Sequence, residues 1–287
     1  MNIVLTGATG YIGSATLRAL LDRGHDVTAL VRSEASAKTV EGDRVTPVVC
    51  DITDVTRLAE QLRAADGAIH LATTDDGKAM DDAVVSAVLK AFAGTEKPYV
   101  HTGGIWVWGA SDSIVESEKQ HPAMIAAWRG DIEKRVLAPS IRGSVVAPAI
   151  VYGYGAGIPK GTIVDAPTTD GRLHMIGDGS QHWATVHVDD LAELYVSVLE
   201  KAPGGDIYIG ASGANPTVLE LAEALNGVGN TVAETPEESR ARLGTDFADA
   251  LLLSQQATGN TAKNLFSWTP SRPTMVALLR DGYPSDR

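Results

Sequence analysis

Cysteine is nearly missing from this 287-residue chain. Cys50 stands alone, which excludes an internal disulfide and a cysteine-cluster metal site, and its place at the end of an apolar run reads as a small buried residue. Basic charge is also short: 24 Lys and Arg against 36 Asp and Glu leave a net charge of −12. That balance argues against nucleic acid or an anionic membrane surface as partner, so an anionic ligand must be held by local donors. No window approaches the roughly 18 consecutive apolar residues of a membrane helix, and the opening residues read as a strand rather than a signal segment. A cytoplasmic location is therefore the expectation. Repeats, low-complexity tracts and linkers are missing too. His and carboxylate spacings give no metal site, and Asp75-Asp76 and Asp81-Asp82 read as solvated helix starts. With 44% hydrophobic and 21% charged residues, the chain is composed to bury a sizeable core.

What is present is organised around Thr6-Gly7-Ala8-Thr9-Gly10-Tyr11-Ile12-Gly13. It follows the apolar run Ile3-Val4-Leu5 and precedes a segment apolar at Ala15, Leu17, Ala19, Leu20 and Leu21. Strand, glycine turn and helix in this order make a phosphate cradle. Glycines let the backbone approach a pyrophosphate, and the N–H groups and positive dipole end of the helix face the anion. Gly7, Thr9, Gly10, Tyr11, Ile12 and Gly13 are the predicted contacts.

A second strand over 26–31 ends at Val31-Arg32. At the end of this strand a dinucleotide site meets the adenosine ribose, where a carboxylate holds the 2′-hydroxyl of NAD and an arginine accommodates the 2′-phosphate of NADP. Arg32 with no carboxylate predicts NADP. Strands over 44–51, 68–72 and 98–102 and helices over 55–65 and 76–93 continue the alternation. The pattern predicts an α/β fold, a doubly wound parallel sheet covered on both faces, with ligands beyond the carboxyl ends of its strands. That brings Asp51, Ile52, Leu71, Ala72 and Thr73 to the cofactor. Later segments read as strands over 172–176 and 206–209, helices over 189–200 and 217–225, and an acidic, solvated helical stretch over 236–250. Asp189-Asp190 read as a helix cap pair behind His187. Residues 153–161, rich in glycine, read as a lid or a plain surface loop.

These residues resemble the short-chain dehydrogenase/reductase superfamily in its extended and atypical branches, which include epimerases, dehydratases, carbonyl reductases and NmrA-like regulators. The resemblance rests on residues 6–13, Val49-Cys50-Asp51, Val107-Trp108-Gly109, residues 147–153, residues 186–192 and Phe266-Ser267-Trp268-Thr269-Pro270. It implies a Rossmann domain over 1–150, and over 151–287 a smaller, mainly substrate-binding part with segments that return to the sheet. It also implies cofactor contacts from Pro148, Ile150 and Val151, and a homodimer paired through the segments 76–93 and 123–137.

The family's reductive step uses a Ser/Thr, a tyrosine and a lysine, the last two in Tyr-x-x-x-Lys on one helix turn. No such spacing occurs here. Aligned on Glu133 and on Trp108-Gly109, the family positions carry Arg129 for lysine, Ile125 for tyrosine and Gly104 for Ser/Thr. Arg129 retains a permanent cation for the nicotinamide ribose but no usable acid. The proton donor is then to be sought among Thr102, His101, Tyr152, Tyr154, His121 and water; Thr102, Arg129 and Tyr152 are the predicted catalytic set. Gly104, Trp106, Trp108, Ile125, Trp128, Tyr154 and Trp183 are the predicted substrate pocket, since four of the five tryptophans fall in segments that the resemblance brings to the cleft. The resulting expectation is an NADP(H)-dependent reductase of a small apolar or aromatic carbonyl or imine compound, using a non-standard proton donor. Its alternatives are a non-catalytic NADP-binding regulator and a non-redox isomerase or cyclase.

Overall fold

The computed structural model describes residues 1–74 and 76–285. Near-continuous apolar runs bury strands on both faces. The first is β1 (Asn2–Thr6), followed by α1 (Tyr11–Asp22), β2 (Asp26–Val31), α2 (Glu34–Val40), β3 (Val45–Val49), α3 (Val55–Ala64), β4 (Gly67–His70), α4 (Gly77–Phe92) and β5 (Pro98–Thr102). After α5 (Arg129–Val136) come β6 (Arg142–Pro148), α6 (Val188–Lys201) and β7 (Ile207–Gly210). All seven strands pair in parallel, in the order β7-β6-β5-β4-β1-β2-β3. Order reverses between β1 and β4, so a cleft opens at the carboxyl ends of those two strands.

One face of the sheet is covered by α1 and α6, which pack on each other through Leu17, Leu20, Leu194 and Val198. The other is covered by α3, α4 and α5, with Leu58, Leu62, Val84, Val88, Phe92 and Ile132 buried beneath them. Cys50 is buried in this second half. A third cluster, with Ile150, Tyr152, Trp183, Leu221 and Met275, belongs to the carboxyl-terminal half. There Ile150–Gly153 pairs with Thr185–His187 and with the short strand Ala156–Gly157. Among the described residues no helix is long and apolar enough to cross a membrane.

Several elements depart from the sequence reading. β4 ends at His70 rather than residue 72, because Leu71 and Ala72 turn away to pack on Gly7. β3 ends at Val49, and Asp51 lies beyond it in a turn on Thr53. The 123–137 segment is no single helix: Met124–Ala126 forms one tight turn before α5. The 236–250 stretch is two helices, and Ser239, Ala248 and Ala250 are buried, so it is only partly a solvated face. The cap of α6 is His187, whose Nδ1 accepts from the Asp189 N–H at 3.2 Å. Asp190 is instead buried and clamps a distant turn, accepting from the Ser271 and Arg272 N–H groups. Asp76 does cap α4, but Asp81 is buried. Asp75 lies outside the described residues, as do the last two residues of the 151–287 segment.

Candidate active site

The glycine turn is shaped by contacts that leave no room for side chains. Gly7 has φ +76°, and a Cβ there would stand 2.6 Å from the Ala72 nitrogen; a Cβ on Gly13 would stand 1.9 Å from the Gly7 oxygen. The turn is therefore pressed between α1 and the end of β4. α1 starts after Gly10 with no side-chain cap and no acidic residue in its first turn. Uncapped N–H groups at a helix N-terminus, free of carboxylates, fit an anionic pyrophosphate. The Tyr11 hydroxyl donates to the Gly153 oxygen at 2.9 Å, which fastens this turn to the 153–161 loop. Arg32 is exposed at the end of β2, and Asp51 is exposed with its carboxyl held low by the Thr53 hydroxyl and N–H.

Beyond the turn a cavity of about 490 Å³ runs along the carboxyl ends of β4, β5 and β6 and reaches Ile12 of α1. It collects most of the predicted residues: Ile12, Leu71, Ala72, Thr73, Thr102, Gly104, Trp106, Ile125, Trp128, Arg129, Pro148, Ile150 and Val151. Arg129 donates to the Thr102 carbonyl at 2.9 Å and lies over the Trp128 ring at 4.6 Å. Among the described residues, a Cβ on Gly104 would meet nothing within 4 Å, so this position holds open space.

Other predicted residues lie elsewhere, and these are corrections. Tyr152 is buried in the third cluster with its hydroxyl donated to the Pro273 oxygen at 3.0 Å, which removes it from the cavity wall. The Tyr154 hydroxyl bonds Asp189 outside the cavity. Trp108 and Trp183 are core side chains, and the Trp183 indole N–H donates to the Leu251 oxygen. Tryptophan clustering in sequence thus reflected packing for two of the four. His121 is exposed and off the cavity. Residues 153–161 contribute Ile158 to the wall.

Three buried groups, His70 and Asp81 in the cavity wall and His101 behind it, were unremarked together in the sequence and form its most polar feature. His70 and His101 are cross-strand partners on β4 and β5, stacked at 5.5 Å between ring centres, and both face Asp81 of α4. Their ligand-type atoms lie within 4.8 Å of one another. Proton counting decides what the cluster is. Thr6 Oγ1 accepts from the Leu71 and Ala72 N–H groups, so its own hydrogen goes to His70 Nδ1 at 2.6 Å. His70 Nε2–H then donates to Asp81 Oδ1 at 3.0 Å. The Tyr99 hydroxyl, 2.9 Å from His101 Nδ1, donates there, and His101 Nε2–H faces Asp81 Oδ2 at 3.3 Å. Metal ligation by both Nε2 atoms would reverse these bonds and strand two buried hydroxyl hydrogens, so a hydrogen-bonded network is favoured. Burial pushes the Asp81 carboxyl up, but the bonds from His101 and His70 outweigh it and hold it below the usual carboxylate range. Burial lowers the His101 imidazole despite Asp81.

A second buried acid stands nearby. Glu133 on α5 accepts from Gln120 at 3.3 Å, its other oxygen has no partner, and burial raises its carboxyl. A Cβ on Gly103 would stand 2.8 Å from that oxygen, so glycine is what lets β5 and α5 approach here.

Residues 7–98 match the NAD(P)H-binding family. An uncharacterized protein of Schizosaccharomyces pombe is 27% identical over 302 residues, covering 99% of this chain and 100% of that one. A 4-hydroxy-2-methyl-3-oxo-4-farnesyl-3,4-dihydroquinoline-1-oxide ketoreductase of Stigmatella aurantiaca is 27% identical, covering 75% of this chain and 69% of its own. The structure of dTDP-glucose 4,6-dehydratase from Bacillus anthracis in complex with NAD superposes with a TM-score of 0.76 at 18% identity, over 98% of this chain and 94% of that one. The fold is therefore Rossmann-type, and residues 7–98 are similar to an NAD(P)H-binding domain. More closely, the fold matches that of epimerase and dehydratase structures such as the Bacillus anthracis one.

Proposed function

We propose that the protein is an NADP(H)-dependent oxidoreductase that reduces a small apolar or aromatic carbonyl or imine compound. One observation carries this reading: one cavity runs from Ile12, Leu71 and Ala72, beside the glycine turn, to Trp106, Ile125 and Trp128. Apolar walls with few polar groups suit a small organic ligand laid against the cofactor. When bound, NADPH supplies the hydride; the chain supplies its seat and the substrate's orientation. Gly7, Gly10 and Gly13 receive the pyrophosphate, Arg32 the 2′-phosphate, and Arg129 the nicotinamide end. The Stigmatella relative, named as a ketoreductase, supports the oxidoreductase class. On the same reading the functional unit is a homodimer, acting on a small molecule in the cytoplasm.

Arg32 carries the choice of NADP because a guanidinium pairs with a phosphate through two parallel bonds. Titration against tryptophan fluorescence is expected to give NADPH at least about tenfold tighter binding than NADH, with Arg32→Ala removing the difference. Equal affinities in the parent would overturn NADP while leaving the oxidoreductase. Substrate-dependent loss of the reduced-nicotinamide absorbance tests the reaction. The second reading, a non-catalytic NADP-binding regulator, is favoured by Gly104, Ile125 and Arg129 at the positions of the family triad. It expects tight NADPH binding with no turnover over a wide carbonyl and imine panel.

A further inference from the structure

Hydride delivery to a neutral carbonyl leaves an alkoxide that must take a proton, and the groups facing this cavity are poor sources of one. The Thr102 hydroxyl gives its hydrogen to the His70 oxygen at 2.7 Å and accepts from Tyr195 at 3.0 Å. Gly104 and Ile125 hold no acid, and Arg129 keeps its proton at any working pH. The His70 Nε2 proton is directed at Asp81. Thr73 and Thr74 are aliphatic hydroxyls, far too weak as acids.

The same wall carries a fixed negative charge. Asp81 lines the cavity with each carboxylate oxygen facing an imidazole Nε2–H, an arrangement that favours its charged form. Arg129, the one Lys or Arg among the described residues lining the cavity, is committed to the Thr102 carbonyl and the Trp128 ring. Glu133 also lies within its electrostatic reach. Trp106 adds an aromatic wall of the kind that attracts cations.

Resting on the reductase reading above, we propose that the hydride acceptor is an iminium ion rather than a neutral ketone. Hydride adds to the carbon of C=N⁺, the π pair moves onto nitrogen, and the product is a neutral amine. The electrons come from the reduced nicotinamide, which leaves oxidised, and no proton is drawn from the protein. Positive charge passes from substrate nitrogen to nicotinamide inside one cavity, so Asp81 faces a cation before and after the step. A buried carboxylate acts on such a charge far more strongly than one in water.

The probes are N-methyl-3,4-dihydroisoquinolinium, a permanent cation with no N–H, and 1-tetralone, a neutral ketone on a similar bicyclic frame. Binding is read by quenching of tryptophan fluorescence without cofactor, and turnover by NADPH absorbance. We expect the cation to bind at least about tenfold more tightly than the ketone. Its kcat/KM should be at least about 100-fold higher, with kcat flat from about pH 6 to about pH 9. Asp81→Asn should shrink the binding advantage to about threefold or less while leaving the ketone's affinity unchanged. If that variant does not fold, the two probes on the parent chain decide alone. Equal binding, or faster reduction of the ketone, overturns the iminium proposal and leaves the reductase intact. NADPH binding with neither probe nor any carbonyl or imine reduced overturns both.

Discussion

The two ends of one cleft obey different constraints. At the glycine turn, backbone contacts specify each position: Gly7 and Gly13 have atoms at 2.6 and 1.9 Å from where a Cβ would sit. At the other end, among the described residues, Gly104 has nothing within 4 Å of a Cβ, and Ile125 sits partly exposed on the rim. A phosphate cradle is made of backbone, so its sequence cannot drift without losing the shape. A proton-donating side chain is one group on a finished scaffold and can be exchanged. The difference teaches that binding and chemistry are separately built here.

The largest effect that would break the comparison is at the rigid end. Gly13→Ala must shift α1 against Gly7, and is expected to lower NADPH affinity by at least about 100-fold, about 2.7 kcal/mol, by calorimetry. Circular dichroism would separate that loss from unfolding. A fully active Gly13→Ala would show that the turn is softer than its contacts imply. At the permissive end, Gly104→Ser, Ile125→Tyr and Arg129→Lys together supply the family's hydroxyl, acid and lysine. The triple variant is expected to raise reduction of neutral ketones by about 100-fold, since a positioned acid contributes on that order. No gain would mean that the cavity, not the missing acid, sets the substrate.

Smaller is the expected effect of Arg129→Ala, a rise of about three- to tenfold in KM for NADPH with unchanged affinity for 2′,5′-ADP, the adenosine-end fragment. Loss of both would show that Arg129 holds the fold rather than the nicotinamide end. Smallest is a slope with pH. His101 has a lowered pKa in the fold, so below about pH 6.5 the unfolded chain takes up a proton that the native state refuses. Asp81 is lowered too, and its contribution, present above about pH 4, is lost as pH falls further. Both signs agree: stability falls on acidification, by at most about 1.4 kcal/mol per pH unit for each proton. Urea unfolding at successive pH values checks this, and His101→Gln should reduce the part that begins near neutrality, leaving the share of His187, whose imidazole burial also lowers.

Legibility followed the same division. The strand–helix alternation and the glycine stretch are local patterns, and they led to the parallel sheet, the cleft and most of the cavity wall. Tyr152 and Trp183 misled because nearness in sequence to the cleft does not fix a side chain's surroundings; both are buried in the cluster that holds Leu221 and Met275. His70, Asp81 and His101 carried a faint signal, a polar residue inside each of two apolar strands. What the signal lacked was the pairing: His70 meets His101 only through the β4–β5 register, and Asp81 reaches both only because α4 packs over the ends of those strands.

Sequence by itself determined what depends on backbone and period: the doubly wound fold and the tight glycine turn from Gly7 to Gly13 between β1 and α1. Only the tertiary structure decided which way side chains point and who shares each proton. It put Tyr152 in the core, spent the Thr102 hydrogen on a neighbouring carbonyl, and gathered two histidines around a buried Asp81. Those outcomes rest on contacts between residues far apart in the chain, and no local pattern encodes the register that brings them together.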